Sequence, residues 1–559
     1  MLSVRRLVAI ANAALLMLAA ADEPRPNVVI LTGDFGSKEN ARLLEPLRAS
    51  GTSFRNCFGS SQSPKTLASW LTGCHELRAG IVDTVGGRNF IRPAVPLVSD
   101  AFKAAGWQTA FFGTWPFGEA IPFRPEDRGF QEVLVDADGR SGDYWGNNPD
   151  HPWLRDLKGW SQRDGKRAAV LETETRRWIE TRVAAKERFF LMLNLPKGSE
   201  GSAKALLEDL DRSGVGANTL VIALGTIARE SKETPDALAP LVFRWPGHVA
   251  AGRVVETPVA VFDGMPTAAA LCGVSLFRDW KGDGIDISGL GKEPRTEPVE
   301  RSFFFHPGGW PADQVVDRYK SDGYAVRSGK WRLSGLDLLD VSLPPEHREN
   351  VFETQPDIAM RMMTDYGIWW QSIRPAFTAP ARIIVGDERQ PVTPVTWGDW
   401  WPSRESTTAL GPVRYPDQAS LRGLLRELAD PARSSSLPSV SGVWKVHANR
   451  TGHYKVSVSK LPPGADPAER ESLGKLHGGM AHARAGKYEV KTPLLEGATA
   501  LSLGVDLNEG DADLEVWFEG QGAKDAIFGA FFATIERMGE RKMPDPDWKP
   551  QTKENGGEK

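Results

Sequence analysis

The run NVVILT at 27–32 is apolar throughout, with no helical period, and reads as a strand buried on both faces. It is followed by ENARLLEPLRASG and PLVSDAFKAAG, whose apolar positions recur at three and four residues, and then by the strand TAFFGT. The alternation resumes with the helix VLETETRRWIETRVAAK, the strand RFFLMLNL, the helix AKALLEDLDRSG and the strand TLVIALG. Strands and helices in turn, with strands this apolar, predict an α/β sandwich around a mainly parallel central sheet. In such a sheet a reactive site lies where loops leave the carboxyl ends of the strands, here 32–36, 113–118, 196–198 and 225–229.

From about residue 381 the period changes. ARIIVG, VWKVHA, HYKVSVS, KYEVKT, ALSLGVDL and DLEVWFEG alternate apolar with polar positions and are separated by Gly, Pro, Asn and Asp, which predicts an antiparallel β-sandwich. RELADPARSSSLPSVSG within it reads as a long loop, and 543–559 as a polar disordered tail. At the other end, Arg5 and Arg6 precede an apolar run of 14 residues that closes on Ala19, Ala20 and Ala21. That is short of the roughly twenty residues of a membrane span and has the form of a signal peptide cleaved after Ala21, which places the mature chain outside the cytoplasm or in a periplasm. The expected parts are therefore 1–21, an α/β domain at 22–375, a β-sandwich at 376–542 and the tail.

The chain of 559 residues is 41% hydrophobic and 25% charged, with a net charge of -4 and the signs interspersed, which gives no nucleic-acid footprint. Cys57, Cys74 and Cys272 allow at most one internal bridge. Either Cys57 pairs with Cys74 or all three are buried thiols. The nine histidines have no metal-ligand spacing.

NVVILTGDFG, LEPLRASGTSFRNC, ASWLTG and FKAAGWQTAFFGTWPFGE occur in the order in which similar phrases occur in the secreted sulfatases of the alkaline-phosphatase superfamily. PFRPEDRGFQEVLV, DYWGNN, LVFRWPGHVAAGRVVETPVAVFDGMPTAAALCGV and YAVRSGKWRLSG extend the resemblance over residues 26–375, and the β-module resembles one appended to bacterial members of that family. The resemblance implies an alkaline-phosphatase-like fold. It also implies sulfate-ester hydrolysis by a formylglycine made from the first residue of C-x-P-x-R or S-x-P-x-R, assisted by calcium and by cationic side chains.

The residues at those positions depart from the pattern. Register on ASWLTG puts Ser63 at the nucleophile, Lys65 at the proline and Leu67 at the arginine; shifting to recover Pro64 puts Gln62 at the nucleophile and Thr66 at the arginine. Of the four metal positions carried over, Gly33, Asp34, Thr226 and Ile227, only Asp34 keeps a carboxylate, and calcium takes roughly 6 to 8 oxygen ligands. Sulfate-binding positions fall on Thr114, Pro116, Lys197 and Arg229, and between Pro196 and Ala203 the chain lacks an insert that active relatives carry.

Losses at the nucleophile, the metal and the sulfate grip together imply a catalytically degenerate member with no cofactor. The alternative is hydrolysis through an unmodified Ser63 or Thr66 hydroxyl, against a plain role for either as a helix N-cap. Asp34 is the one candidate for a residual metal contact, or else a turn former. Partners of a secreted protein of this kind would be sulfated or neutral glycans, and Trp397, Trp400 and Trp401 in TWGDWWPS are candidates for stacking on sugar rings. Trp369 and Trp370, in a helical pattern, read as packing.

Overall fold

The structure, a computed structural model, describes residues 25–540 apart from 38–39, 85, 137–150, 197, 229–236, 292–299, 312–313, 403–417, 435–436, 438, 463–464 and 522–526. Residues 1–21, expected to be a signal peptide, the phrase DYWGNN, Lys197, Arg229 and the tail 543–559 lie outside the described residues. The chain forms two compact units, Met1–Gly118 with Phe123–Ala381 and Glu119–Pro122 with Arg382–Lys559.

The first unit holds a ten-stranded sheet. Its order across the sheet is Arg253–Val255, Thr52–Phe54, Leu241–Arg244, Thr219–Gly225, Asn27–Gly33, Phe189–Asn194, Gln108–Thr114, Glu132–Asp136, Trp153–Asp156 and Gly159–Gln162. The five strands from Thr219–Gly225 to Glu132–Asp136 are parallel to one another. Most joints in the flanks are antiparallel, so the sheet is mixed with a parallel centre. Successive side chains of a strand point to opposite faces. Val28 and Ile30 join Phe190, Met192 and Ile222 in one core, while Val29 and Leu31 join Leu191, Leu193 and Val221 in the other. That double coverage is why the central runs are apolar at every position.

ENARLLEPLRASG is not one helix. It starts as a 3-10 turn, Asn40–Leu44, and becomes α-helical over Glu45–Ser50, so that Pro46 falls in a first turn, where its missing N–H is no loss. A four-stranded antiparallel sheet, Ser302–Phe305, Ala325–Ser328, Trp331–Ser334 and Asp337–Asp340, packs with the helix Pro356–Ile373. Trp369 and Trp370 are buried there, as their helical spacing predicts.

The second unit pairs two sheets. One carries Ile383–Val385, Gly442–Ala448, Gly510–Glu519, Gly479–Ala485 and Tyr488–Leu494, and the other Val392–Thr396, Phe532–Gly539, Gly452–Ser459 and Ala500–Leu507. Burial alternates along Gly442–Ala448 and Gly452–Ser459, the signature of sheets with one face on a shared core. The Tyr454 hydroxyl donates to the Arg450 carbonyl four residues upstream at 2.6 Å, in the manner of a tyrosine corner. One joint departs from the antiparallel expectation, since Ile383–Val385 runs parallel to Gly442–Ala448.

Of the two readings open for the cysteines the second holds, and two further expectations are corrected. Cys57, Cys74 and Cys272 are all free and buried, and burial pushes their thiols up, Cys74 to about 12. RELADPARSSSLPSVSG is not a long loop: its head completes the helix Gln418–Ala429, and Pro431–Ser434 forms another turn of helix. Trp397 and Trp400 are not stacking platforms, because both are buried, Trp400 against Trp444 and Phe531. Trp401 is half-buried, with the Lys445 ammonium 6.0 Å from its ring centre.

Candidate functional site

The carboxyl ends of the four central strands come together as the parallel order requires. Gly33 is in register with Gly225, and Asn194 is in register with both Thr32 and Gly113. Thr226 N–H donates to the Gly33 carbonyl at 2.9 Å and Leu195 N–H to the Thr32 carbonyl at 2.8 Å, so the loops continue the ladder beyond the strands. Asp34, Thr114, Thr226 and Ile227 therefore stand at one edge of the sheet, as the sequence predicts.

The side chains at this edge are spent on one another. Thr32 Oγ1 donates to Asn194 Oδ1 at 2.8 Å, both residues being buried, and Asn194 Nδ2 donates to the Thr114 carbonyl. The strand passes close enough that a β-carbon on Gly113 would lie 1.8 Å from the Asn194 carbonyl oxygen, in a backbone at φ +104°. Only glycine fits there. Beyond it Trp115 is buried against Phe111, Phe117 and Phe130 with its indole N–H on the Phe123 carbonyl, and the Pro116 carbonyl accepts from Asn89. Where the family resemblance places a lysine and a histidine, this loop has aromatic packing.

Gly33 is filled from outside. A β-carbon there would point at Glu200 Cγ and Leu195 Cβ, each at 3.5 Å, and at Phe35 at 3.7 Å. Glu200 begins the helix Gly201–Arg212 and is 3% exposed. Its Oε2 accepts from the Gly198 N–H at 2.8 Å, and its Oε1 is buried with no hydrogen-bond partner among the described residues. The sequence reading missed Glu200, because the short 196–203 segment that delivers it was read only as a lost insert.

These residues do not fit calcium. Asp34 is half-buried and its carbonyl accepts from Asn40; Thr226 offers a hydroxyl, Ile227 offers nothing, and Glu200 adds one carboxylate to a set that needs roughly 6 to 8 oxygens. Among the described residues no group of three or more His, Cys, Asp or Glu side chains could hold a metal.

The nucleophile segment is equally committed to packing. Ser63 opens the helix Ser63–Thr72 at its first position, and the N-cap is Gln62, without a side-chain cap bond. Neither Ser63 nor Thr66 is the N-cap expected of them. Thr66 is fully buried and its hydroxyl both donates to the Ser60 carbonyl at 2.9 Å and accepts from the Ser60 N–H at 3.0 Å, which fixes the loop entering the helix. Lys65 is buried with its ammonium on the Pro307 carbonyl, and Leu67, at the arginine position, is core. Ser63 is half-buried, with no hydrogen bond to a base among the described residues. Such a hydroxyl lacks the adjacent base that activates a serine.

No family model matches the chain. In sequence it is 24% identical over 398 residues to N-acetylgalactosamine-6-sulfatase of Mus musculus, covering 57% of this chain and 75% of that enzyme. In structure it superposes on Ps i-CgsB in complex with k-i-k-neocarrahexaose with a TM-score of 0.51 at 16% identity, over 62% of this chain and 92% of that one. It superposes on BT4656 in complex with its substrate D-Glucosamine-2-N, 6-O-disulfate with a TM-score of 0.50 at 13% identity, over 64% and 99%. Among the described residues no helix is long and apolar enough to cross a membrane. The ordered phrases, the parallel centre of the sheet and these likenesses agree: the chain is a homologue of the sulfatases, built on their alkaline-phosphatase-like fold.

Proposed function

We propose that this chain is a secreted sulfatase homologue that has lost sulfate-ester hydrolysis and serves as a glycan-binding protein. The observation that carries the reading is the edge of the central sheet, where Thr32, Asn194 and Thr114 are bonded to one another and Glu200 lies over Gly33. Chemistry at sulfur needs a nucleophile and positive charge at the point where negative charge develops. Ser63 has no hydrogen bond to a base among the described residues, Leu67 is core, and Thr114 and Pro116 carry no charge. Glycan binding draws support from the structural neighbour solved with an oligosaccharide.

The test is sulfate release from an aryl sulfate and from sulfated polysaccharide by the purified mature protein, with and without calcium, together with retention on immobilised polysaccharides. The expected outcome is retention without turnover. Turnover that disappears on chelation and in Ser63→Ala would establish the alternative, an active hydrolase with an unmodified serine. Absence of retention on every sulfated and neutral glycan would remove the binding role.

A further inference from the structure

Beside the Ser63–Thr72 helix, between it and the four-stranded sheet of the first unit, lies a cavity of about 340 Å³. None of Asp34, Ser63, Thr114 or Thr226 lines it, so it is separate from the positions at which the sulfatase resemblance would place chemistry. Its volume is that of a small-molecule site.

One wall is aromatic. Phe58 meets Phe303 and Phe305 edge to face at 4.9 and 5.3 Å, and Phe305 is half-buried, leaving part of its ring to the cavity. The opposite lining is polar and held in place. Glu76 Oε2 accepts from Ser69 Oγ at 3.1 Å, which fixes the carboxylate and leaves Oε1 without a partner among the described residues. His75 is 6% exposed, and its Nδ1 accepts from the Leu77 N–H at 3.2 Å. A ring nitrogen that accepts a backbone N–H carries no proton, so in the neutral ring the proton is on Nε2, which has no acceptor among the described residues. Arg332, 8% exposed, brings a guanidinium to the same cavity. His306 also lines it but is already committed, with Nε2 on the Tyr319 carbonyl and Nδ1 accepting from Gly308.

Glu76 is only half-buried, and its Oε1, like His75 Nε2, has hydrogen-bonding capacity left for a group that enters the cavity. The Glu76 carboxylate disfavours a free anion at this wall, and the Arg332 guanidinium already has an interaction of its own. An aromatic face beside paired donors and acceptors suits a ring with an apolar C–H face and an equatorial belt of hydroxyls. We propose that this cavity binds one uncharged sugar ring, with Phe303 and Phe305 against its C–H face, Glu76 Oε1 accepting from its hydroxyls and His75 Nε2 donating to its oxygens. The proposal rests on the glycan-binding reading above and gives that reading a site.

The test titrates the mature protein with galactose, glucose and mannose, and with inorganic sulfate as the anion control, reading binding by saturation-transfer NMR. Three proteins are compared: the native chain, Glu76→Gln, and Ser61→Trp, which plugs the rim from an exposed position without entering the core. At least one of the three sugars is expected to bind the native chain, with its affinity about tenfold or more lower in Glu76→Gln and its signal lost in Ser61→Trp, while both variants keep the native melting temperature. Equal sugar binding by the native chain and Ser61→Trp, binding of sulfate alone, or no binding of any of the three sugars overturns the proposal. If the native chain and both variants are retained equally on polysaccharide, the glycan-binding reading stands and this site falls. If the native chain binds a monosaccharide through Glu76 but no polymer retains it, the site stands and the broader reading falls.

Discussion

Lys460 is 2% exposed, and its ammonium donates to the Lys475 carbonyl at 2.7 Å. Burial, only partly opposed by Glu496, pulls it from its ordinary 10.5 down to about 8. In the unfolded chain the same lysine titrates near its ordinary value, so between about pH 8 and 10.5 the unfolded state holds a proton that the native state has released. Stability contributed at this residue therefore rises with pH across that window, and below it the native state bears the cost of a buried charge. Lys460→Met is expected to stabilise the protein at pH 7 by about 2 kcal/mol, the buried charge removed less the hydrogen bond lost. It should also flatten the rise in stability above pH 8. Urea melts of both proteins across the range check this, and a variant less stable than the native protein at pH 7 refutes it. Glu200 is a second buried ionisable side chain, its Oε1 without a partner among the described residues. Glu200→Gln keeps the acceptor for Gly198 and removes the charge, and should raise stability by about 1 kcal/mol; a fall of that size would mean that Oε1 has a partner that matters.

Among the elements, the Ser63–Thr72 helix shows why ASWLTG persists while the motif before it does not. From Lys65 to Thr72 every side chain is buried, and Trp70 lies so close to the start of the helix Gly264–Leu271 that a β-carbon on Gly264 would sit 1.4 Å from the indole. Gly264→Ala should cost about 2 to 3 kcal/mol despite alanine's better helix propensity, and adding Trp70→Phe should recover part of the loss; thermal melts of the three proteins decide it. Those residues were legible because packing constrains residue type. The central strands were legible for the same reason, each being an apolar run with no polar face to confuse it. Gln418–Ala429 was misread because the segment taken as a loop began at Arg426, inside the helix. Its apolar positions Leu421, Leu424, Leu425 and Leu428 lie mostly upstream, at helical spacing, and are all buried. Trp397 and Trp400 were misread because composition does not say which face of a sheet an indole takes. The departures from the family pattern could be read from aligned phrases, but the packing around those positions could not. Glu200 reaches Gly33, and Glu76, His75 and Arg332 share a cavity, only through contacts between elements far apart in sequence.

For the whole molecule, the proposed reading is that the fold has been kept without the chemistry. The sheet delivers Asp34, Thr114, Thr226 and the start of the Ser63–Thr72 helix to the places its topology dictates, and those places hold packed aromatics, a buried hydroxyl and a core leucine. A protein that needs an ion to neutralise clustered carboxylates gains stability when the ion binds, in proportion to the logarithm of its concentration over the dissociation constant. Here the carboxylates are not clustered: of the four metal positions carried over, Asp34 alone bears one, and Glu200 enters from a different element already bonded to Gly198. Calcium added at a hundred times the affinity of a working site would stabilise that site by about 2.7 kcal/mol, a shift of several degrees that differential scanning fluorimetry detects easily. The expected result is no shift in melting temperature with millimolar calcium or with a chelator. A calcium-dependent rise that vanishes in both Asp34→Asn and Glu200→Gln would show that these two carboxylates still form a cation site, and the loss of the family's metal chemistry would then be incomplete.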